Sequence, residues 1–128
     1  MSDEPNAEWT VERHLAGQPE ASVELYRTFI RMVEGIGPFT YAVSKTTITL
    51  KGVRRGFTGA RPTAKGLSGY FDVQRVIEDE RIKRVSPYTK RLFVHQFLIT
   101  DAAQLDSEFD QWLQEAYAVG AGAHLAPR

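Results

Sequence analysis

The chain contains no cysteine, so it forms no disulfide, holds no metal through thiolates and has no thiol nucleophile. Disulfides are rare in reducing compartments, and this composition fits a cytoplasmic protein. No apolar run approaches the roughly 20 residues that cross a bilayer, so we expect no membrane partner. The opening residues, MSDEPNAEW, are acidic and polar, unlike a signal peptide.

Motifs for cofactors and metals are also lacking. Gly120 and Gly122 form a G-x-G, but it follows a predicted helix and lacks the later glycine of a dinucleotide-binding fingerprint. No phosphate-loop pattern occurs in the sequence. The histidines, His14, His95 and His124, are dispersed without the spacing of a structural metal site. We therefore expect neither a cofactor nor a bound metal.

The composition predicts one globular domain over residues 1–128, with 42% hydrophobic and 25% charged residues. The net charge of zero conceals a strong internal division. Residues 45–91 contain twelve bases and four acids, a net charge of +8, whereas the segments before and after each carry −4. Such asymmetry is typical of an anion-binding surface, and it is equally compatible with acidic helices lying beside basic strands.

Two N-terminal helices are predicted from a hydrophobic period of about 3.6 residues. A short one follows the N-cap residue Thr10 and ends at Gly17. A longer one begins at Pro19 and ends where Gly35 and Gly37 precede a proline. Its predicted apolar face consists of Val23, Tyr26, Phe29, Ile30 and Val33.

A third helix is predicted near the C-terminus. Asp101 is its expected N-cap, and Gln104 three residues later completes a capping-box pattern. Gly120 is expected to end the helix. Residues 1–8 and 120–128 are then expected to be flexible tails. The predicted buried stripe of this helix consists of Leu105, Phe109, Trp112, Leu113 and Ala116.

Between the helices, runs with period two and glycine-containing turns predict an antiparallel sheet. Pro62 is expected to end the third strand, and Pro87 is expected in the turn after the fifth. Residues 74–81 are expected to be an irregular crossover. The predicted strands span residues 39–43, 46–51, 57–61, 67–73, 82–85 and 91–100.

This order of elements predicts an α+β fold. We expect a two-layer sandwich in which an antiparallel sheet of about five or six strands carries the N-terminal and C-terminal helices on one face. The other face is then either open or covered by a partner.

Several segments resemble the bacterial "domain of unknown function 5655" family. The likeness lies in WTVERHLAG and PEASVELYRTFIRMVEGIGP, in KTTITLKG, in RRGFTGARP, and in VHQFLITDAAQLDSEFDQWLQEAY. It extends over about residues 9–117, and it depends on the order and spacing of these segments rather than on one motif. The resemblance implies a small bacterial α+β domain that occurs alone or fused to other modules, and it implies no activity.

The most basic stretch is KTTITLKGVRRGFTGAR, which predicts a central hairpin. Lys45 and Arg61 fall at the same end of that hairpin, where two converging cations would bind a phosphate or carboxylate. Arg54 and Arg55 fall at the turn end. The alternative is that Lys45 caps a strand edge and that Arg54 and Arg55 form a solvated turn.

His95 is the one histidine within a predicted strand, and its imidazole can exchange protons near neutral pH. It is a candidate anion ligand or acid–base residue beside Lys45 or Arg61. Catalysis also requires an orienting carboxylate and a nucleophile, and the sequence places neither beside it. A hydrogen-bonded, half-buried structural histidine is the favoured interpretation.

These features favour a small, non-enzymatic binding module whose basic sheet region holds an anionic partner. That partner is a nucleic acid, a phosphorylated ligand or an acidic protein surface. Aromatic residues interleaved with the bases are what single-stranded nucleic acid binding needs, although the core needs aromatics too. The alternative is a domain that dimerises through its open sheet face. An enzyme using His95 ranks last.

Overall fold

The computed structural model describes residues 9–89 and 91–125, so the tail expected at 1–8 and the last three residues of the tail expected at 120–128 lie outside the described residues. Within those bounds, no helix is both long and apolar enough to cross a membrane. The helices are α1 (Val11–Leu15), α2 (Glu20–Ile36) and α3 (Ser107–Gly120), with short 3₁₀ helices at Ala102–Gln104 and Ala123–Leu125. The strands are β1 (Thr40–Val43), β2 (Ile48–Lys51), β3 (Gly56–Thr63), β4 (Gly66–Val73), β5 (Ile82–Thr89) and β6 (Leu92–Ile99).

The two N-terminal helices form as their sequences predict. The Thr10 side chain accepts a hydrogen bond from the backbone N–H of Arg13, which caps α1. His14, on this helix, is buried, and its Nε2 lies 2.7 Å from the carbonyl oxygen of Ser44 in the β1–β2 turn. Helix α2 ends at Ile36, and the extended backbone at Gly37 leads into β1.

The six strands form one antiparallel sheet in the order β1-β2-β3-β4-β6-β5. The first four strands are a meander, and the connection between β4 and β5 places β6 between these two strands. Helices α2 and α3 pack against β3 and β4 at the centre of the sheet. The predicted two-layer α+β fold is confirmed, with six strands.

The core lies between the two helices and the sheet face that they cover. Phe71 on β4 and Phe97 on β6 are 5.9 Å apart between ring centroids, and both rings contact Phe109 of α3. Phe29 of α2 closes the other side of the cluster, 6.2 Å from Phe97. Aromatic side chains therefore pack α2 and α3 against one face of β4 and β6. The opposite face of these strands is available for other contacts.

Both predicted strand ends at proline were wrong. Strand β3 continues through Pro62 to Thr63. Its pairing with β2 reaches only Gly59, so at Pro62 the strand has a neighbour on one side alone and is tolerant of proline, like an edge strand. Strand β5 continues through Pro87 to Thr89 because it is an edge strand, where proline is tolerated.

The predicted start of the last helix was also wrong. Asp101 and Gln104 do form a capping box, but it caps the 3₁₀ helix Ala102–Gln104. Helix α3 begins at Ser107, where the side chain of Asp106 accepts a hydrogen bond from the N–H of Phe109. Beyond α3, residues 121–125 form a turn and a 3₁₀ helix.

Candidate functional site

The sheet face opposite the helices is not covered by any element within residues 9–89 and 91–125. Directly paired residues of neighbouring strands point to the same face, so the register identifies what this face presents. One row across five strands consists of Thr49, Gly59, Tyr70, Gln96 and Arg84. Arg61 is paired with Ser68, two positions from this row, and it points to the same face. We call this surface the open face.

A cavity of about 370 Å³ lies on the open face, and we call it the Arg61 cavity. Arg61 is half-buried and is the one charged residue in its lining. In the part of the chain that the structure describes, its guanidinium makes no ion pair and no hydrogen bond. The other lining residues are neutral: Thr46, Thr47, Ser68, Gly69, Tyr70, Val94 and Gln96.

The structure separates the four basic residues that the sequence grouped together. Lys45 is exposed on the β1–β2 turn, next in the chain to Thr46 but outside the lining of the Arg61 cavity. Arg54 and Arg55 lie in the β2–β3 loop, where their backbone N–H groups both donate to the carbonyl oxygen of Gly120 at the end of α3. This loop is therefore fixed to the helix, and the residues around Gly120, expected in a flexible tail, hold it.

Arg55 points to the open face and forms an ion pair there with Asp72 of β4. Its Nε also donates to the carbonyl oxygen of Gly56 at 2.9 Å, and its guanidinium lies 5.3 Å from the centroid of the Tyr88 ring. A solvated turn was one expectation for this residue, but the Arg55 side chain is only 26% exposed. Its charge is already matched by Asp72, which distinguishes it from Arg61.

Asp72 is buried, and its carboxylate is only half satisfied. Oδ2 accepts from Arg55, whereas Oδ1 is closed to solvent without a hydrogen-bond partner among the described residues. Burial raises the pKa of Asp72 to about 6, although the Arg55 guanidinium acts in the opposite direction. Asp72 and Arg55 line a second cavity of about 440 Å³, here called the Asp72 cavity, together with Gly56, Tyr70, Tyr88 and Val94.

His95 lies on the covered face, opposite Arg61. It is directly paired with Phe71, whose ring stacks on the imidazole with centroids 5.1 Å apart. Its Nε2 accepts a hydrogen bond of 2.9 Å from the backbone N–H of Ile77, so Nδ1 carries the proton and donates to the carbonyl oxygen of Phe93 at 3.1 Å. The geometry that an acid–base role beside Arg61 requires is therefore not present, and His95 is a fully hydrogen-bonded core residue.

This burial predicts a pH dependence of stability. Burial lowers the pKa of His95 in the folded chain below the unfolded value of about 6.5, so between these two values the unfolded chain binds the additional proton. Stability from this residue is complete above about pH 6.5 and falls as the pH decreases. Urea denaturation at pH 7.5 and 5.5 should show a smaller pH-dependent loss for His95→Gln than for the wild type. Equal losses in both proteins would contradict this assignment.

The sequence of this chain matches the family described as a domain of unknown function (DUF5655) over residues 11–120. The chain belongs to this family. The match includes both helices that pack on the sheet and all six strands, and its description assigns no activity. Neither the curated proteins nor the solved structures contain a chain that matches this one.

This DUF5655 chain also contains a buried cation that the sequence did not reveal. Arg81, expected in an irregular crossover, has a side chain that is only 7% exposed. Its guanidinium contacts three carboxylates at 2.8–2.9 Å, and it lies 4.6 Å from the centroid of the Trp112 ring. The carboxylates belong to Asp79, Asp106 and Glu108. Hydrogen bonds from Arg81 lower the pKa of Asp79 to about 2, as a strong ion pair requires.

Part of the charge asymmetry of the sequence is thus neutralised by ion pairs within this DUF5655 fold. Arg81 and Arg75 pair with acids of the α3 region, so part of the positive middle neutralises part of the negative C-terminal segment. Arg55 pairs within the sheet. No group of three or more His, Asp or Glu side chains among the described residues is arranged to hold a metal ion.

Proposed function

We propose that this DUF5655 domain is a small binding module that holds an anionic, phosphorylated small ligand on its open face, with Arg61 as the anchor. The observation that carries the proposal is the state of Arg61, a half-buried guanidinium in a concave site whose other lining residues are neutral. A guanidinium donates two parallel hydrogen bonds to a phosphate or carboxylate. The hydroxyl groups of Thr47 and Ser68, which line the same cavity, supply further donors.

The shape of the site favours a small ligand over a polymer. Cavities of 300–1,000 Å³ are typical of small-molecule sites, and the Arg61 cavity of about 370 Å³ falls within that range. Single-stranded nucleic acid needs a basic groove with several exposed aromatic rings. Here the cation of the second cavity, Arg55, is already paired with Asp72, which leaves Arg61 as the anchor.

A further groove, between α2 and α3, is larger at about 680 Å³ but is less suited to an anion. Its one basic lining residue, Arg31, donates to the Thr28 hydroxyl at 3.2 Å. The carboxylate of Asp110 lines the same groove and would repel a phosphate. The charge of the lining therefore favours the open face.

Arg61→Gln should weaken the binding of ribose 5-phosphate by about tenfold to a hundredfold, since hydrogen bonds to a charged group are worth roughly 1.5–3 kcal/mol. The matched control is Arg84→Gln, which removes a positive charge from the same face but outside both cavities. Calorimetric titration of both variants at one ionic strength measures the difference. Equal effects of the two substitutions would mean that only general surface charge attracts the phosphate, and the proposal would fail.

Nucleic acid remains an outcome of the same test. If a fluorescent oligonucleotide binds more tightly than ribose 5-phosphate, with an affinity that falls steeply with salt, the ligand of the open face is a single-stranded nucleic acid and not a small molecule.

The proposal includes a bacterial, cytoplasmic setting, which the family resemblance and the cysteine-free composition support.

Dimerisation through the open face is the second candidate, because nothing in residues 9–89 and 91–125 covers that face. A dimer of this kind would bury Arg61 and compete with phosphate binding. Sedimentation at micromolar concentration, with and without ribose 5-phosphate, separates the two functions. A monomer under both conditions excludes the dimer, and a dimer that the ligand does not affect excludes a shared surface.

A further inference from the structure

The Arg61 cavity and the Asp72 cavity adjoin each other. Tyr70 and Val94 line both, so the two cavities lie side by side along strands β4 and β6. Arg61 is paired with Ser68, and Asp72 is four residues further along β4. At roughly 3.3 Å per residue, the backbone of Asp72 lies about 13 Å along β4 from that of Ser68, the residue paired with Arg61. An inorganic phosphate on Arg61 would leave the Asp72 end empty.

The Asp72 end offers a hydrogen-bond acceptor. The Asp72 side chain is only 4% exposed, its Oδ2 is occupied by Arg55, and its Oδ1 has no partner in the described part of the chain. Buried polar atoms are nearly always hydrogen-bonded, and an exception calls for a role or a missing partner. A carboxylate oxygen accepts and cannot donate, so the missing partner is an N–H or O–H donor.

The same end offers a flat surface. Tyr88 is 63% exposed, and its ring lies beneath the Arg55 guanidinium. The half-buried Tyr70 forms the wall shared with the Arg61 cavity. Exposed tyrosine rings at a binding surface stack against planar groups. An aromatic heterocycle with an exocyclic amine satisfies both features, because it combines a flat ring with an N–H donor.

We propose that the ligand of the open face is a nucleotide-like molecule, with its phosphate on Arg61, its heterocycle against Tyr88 and an N–H group donating to Oδ1 of Asp72. This inference rests on the proposed function, since it adds a second contact to the same ligand. Oδ1 is closed to solvent in the structure. Binding therefore includes a displacement of the side chains over it.

Three probes test this arrangement. Ribose 5-phosphate carries the anion alone. The 5′-monophosphate of unsubstituted purine riboside, here called the purine compound, adds the ring without an amine. Adenosine 5′-monophosphate, the adenosine compound, adds both the ring and the exocyclic amine. We expect the affinities to increase in that order, with the amine contributing about tenfold. If the adenosine compound binds no more tightly than the purine compound while ribose 5-phosphate still depends on Arg61, the inference is overturned and the proposed function stands. If ribose 5-phosphate does not bind, the proposed function itself fails.

Two variants assign the contact to its residues. In Asp72→Asn, an amide oxygen that faces Arg55 leaves an NH₂ group in place of Oδ1, which replaces the acceptor by a donor. This variant should lose the preference for the adenosine compound over the purine compound. Tyr88→Ala, at an exposed position, should lose the contribution of the ring without disturbing the fold. An undiminished preference for the adenosine compound over the purine compound in Asp72→Asn, or an undiminished gain from the purine ring in Tyr88→Ala, would contradict the placement.

Discussion

Replacing Arg81 by glutamine is expected to lower the free energy of unfolding by about 3 kcal/mol. The guanidinium is buried, and it joins the β4–β5 connection to the start of α3. It also holds Asp106, the N-cap residue of α3, at 2.9 Å. Removal of one partner from a buried charge cluster leaves the others desolvated without compensation and typically costs 3–5 kcal/mol. The lower end applies because Asp106 and Glu108 are 46% and 63% exposed and regain water.

Arg75→Gln is the matched control. Arg75 comes from the same connection and pairs with Glu115 on the same helix through two hydrogen bonds of 3.0 and 2.8 Å. The Arg75 side chain is 55% exposed, however, and exposed ion pairs contribute roughly 0–1 kcal/mol. Urea denaturation of both variants gives the comparison. Similar losses in the two variants would show that burial of Arg81 is not what makes its contacts strong.

Gly69→Ala is expected to destabilise the fold by about 3 kcal/mol, at the upper end of what overpacking costs. Gly69 is on the central strand β4 between Ala60 and Phe97. An added methyl group would lie 2.7 Å from Cζ of Phe97 and 2.8 Å from Cβ of Ala60, and closer still to the carbonyl oxygen of Gly59. The Gly59 oxygen belongs to the backbone of a neighbouring strand, so it cannot rotate away, and β3 must shift.

Gly35→Ala provides the contrast within the same chain. A methyl group at Gly35, near the end of α2, would meet no atom within 4 Å. Alanine also favours the helix, so this variant should gain roughly 0.5–1 kcal/mol. Thermal or urea denaturation shows whether the free energy of unfolding falls in Gly69→Ala and rises in Gly35→Ala. A small effect at Gly69 would show that β3 and β4 separate more readily than their packing indicates, and the shape of the Arg61 cavity would then be in doubt.

Local patterns of the sequence were sufficient to predict most of the fold. Helix α2 has an apolar face that repeats at helical spacing, and the strands lie in segments whose hydrophobic pattern has a period of two residues. The errors arose where the structure of a segment depends on residues outside that segment. Whether Pro62 ends a strand depends on whether a neighbour needs its N–H, and β2 ends before that point. Asp101 has the pattern of a helix cap, yet the helix that packs on the sheet begins six residues later.

The candidate site was less predictable for a related reason. The cluster KTTITLKGVRRGFTGAR contains both Arg55 and Arg61, but only tertiary structure brings Asp72 to Arg55 and leaves Arg61 without an ion pair among the described residues. The partners of the buried charged residues are distant in the sequence. Asp72 pairs with Arg55, 17 positions away, and Arg81 pairs with Asp106, 25 positions away. No periodicity in the chain reports such pairs. For His95, the absence of a neighbouring acid or nucleophile did favour a structural role, and the side chain lies in the core.

The central claim is that ligands bind on the open face, around Arg61. Its most direct test is a ¹⁵N NMR titration of the full chain with ribose 5-phosphate, in which every assigned amide reports its own environment. We expect saturable shifts at residues 47, 61, 68 and 96, abolished in Arg61→Gln and retained in Arg84→Gln. Saturable shifts confined to the groove between α2 and α3, at residues 31, 36 and 114, or no saturable shift at any amide, would contradict it.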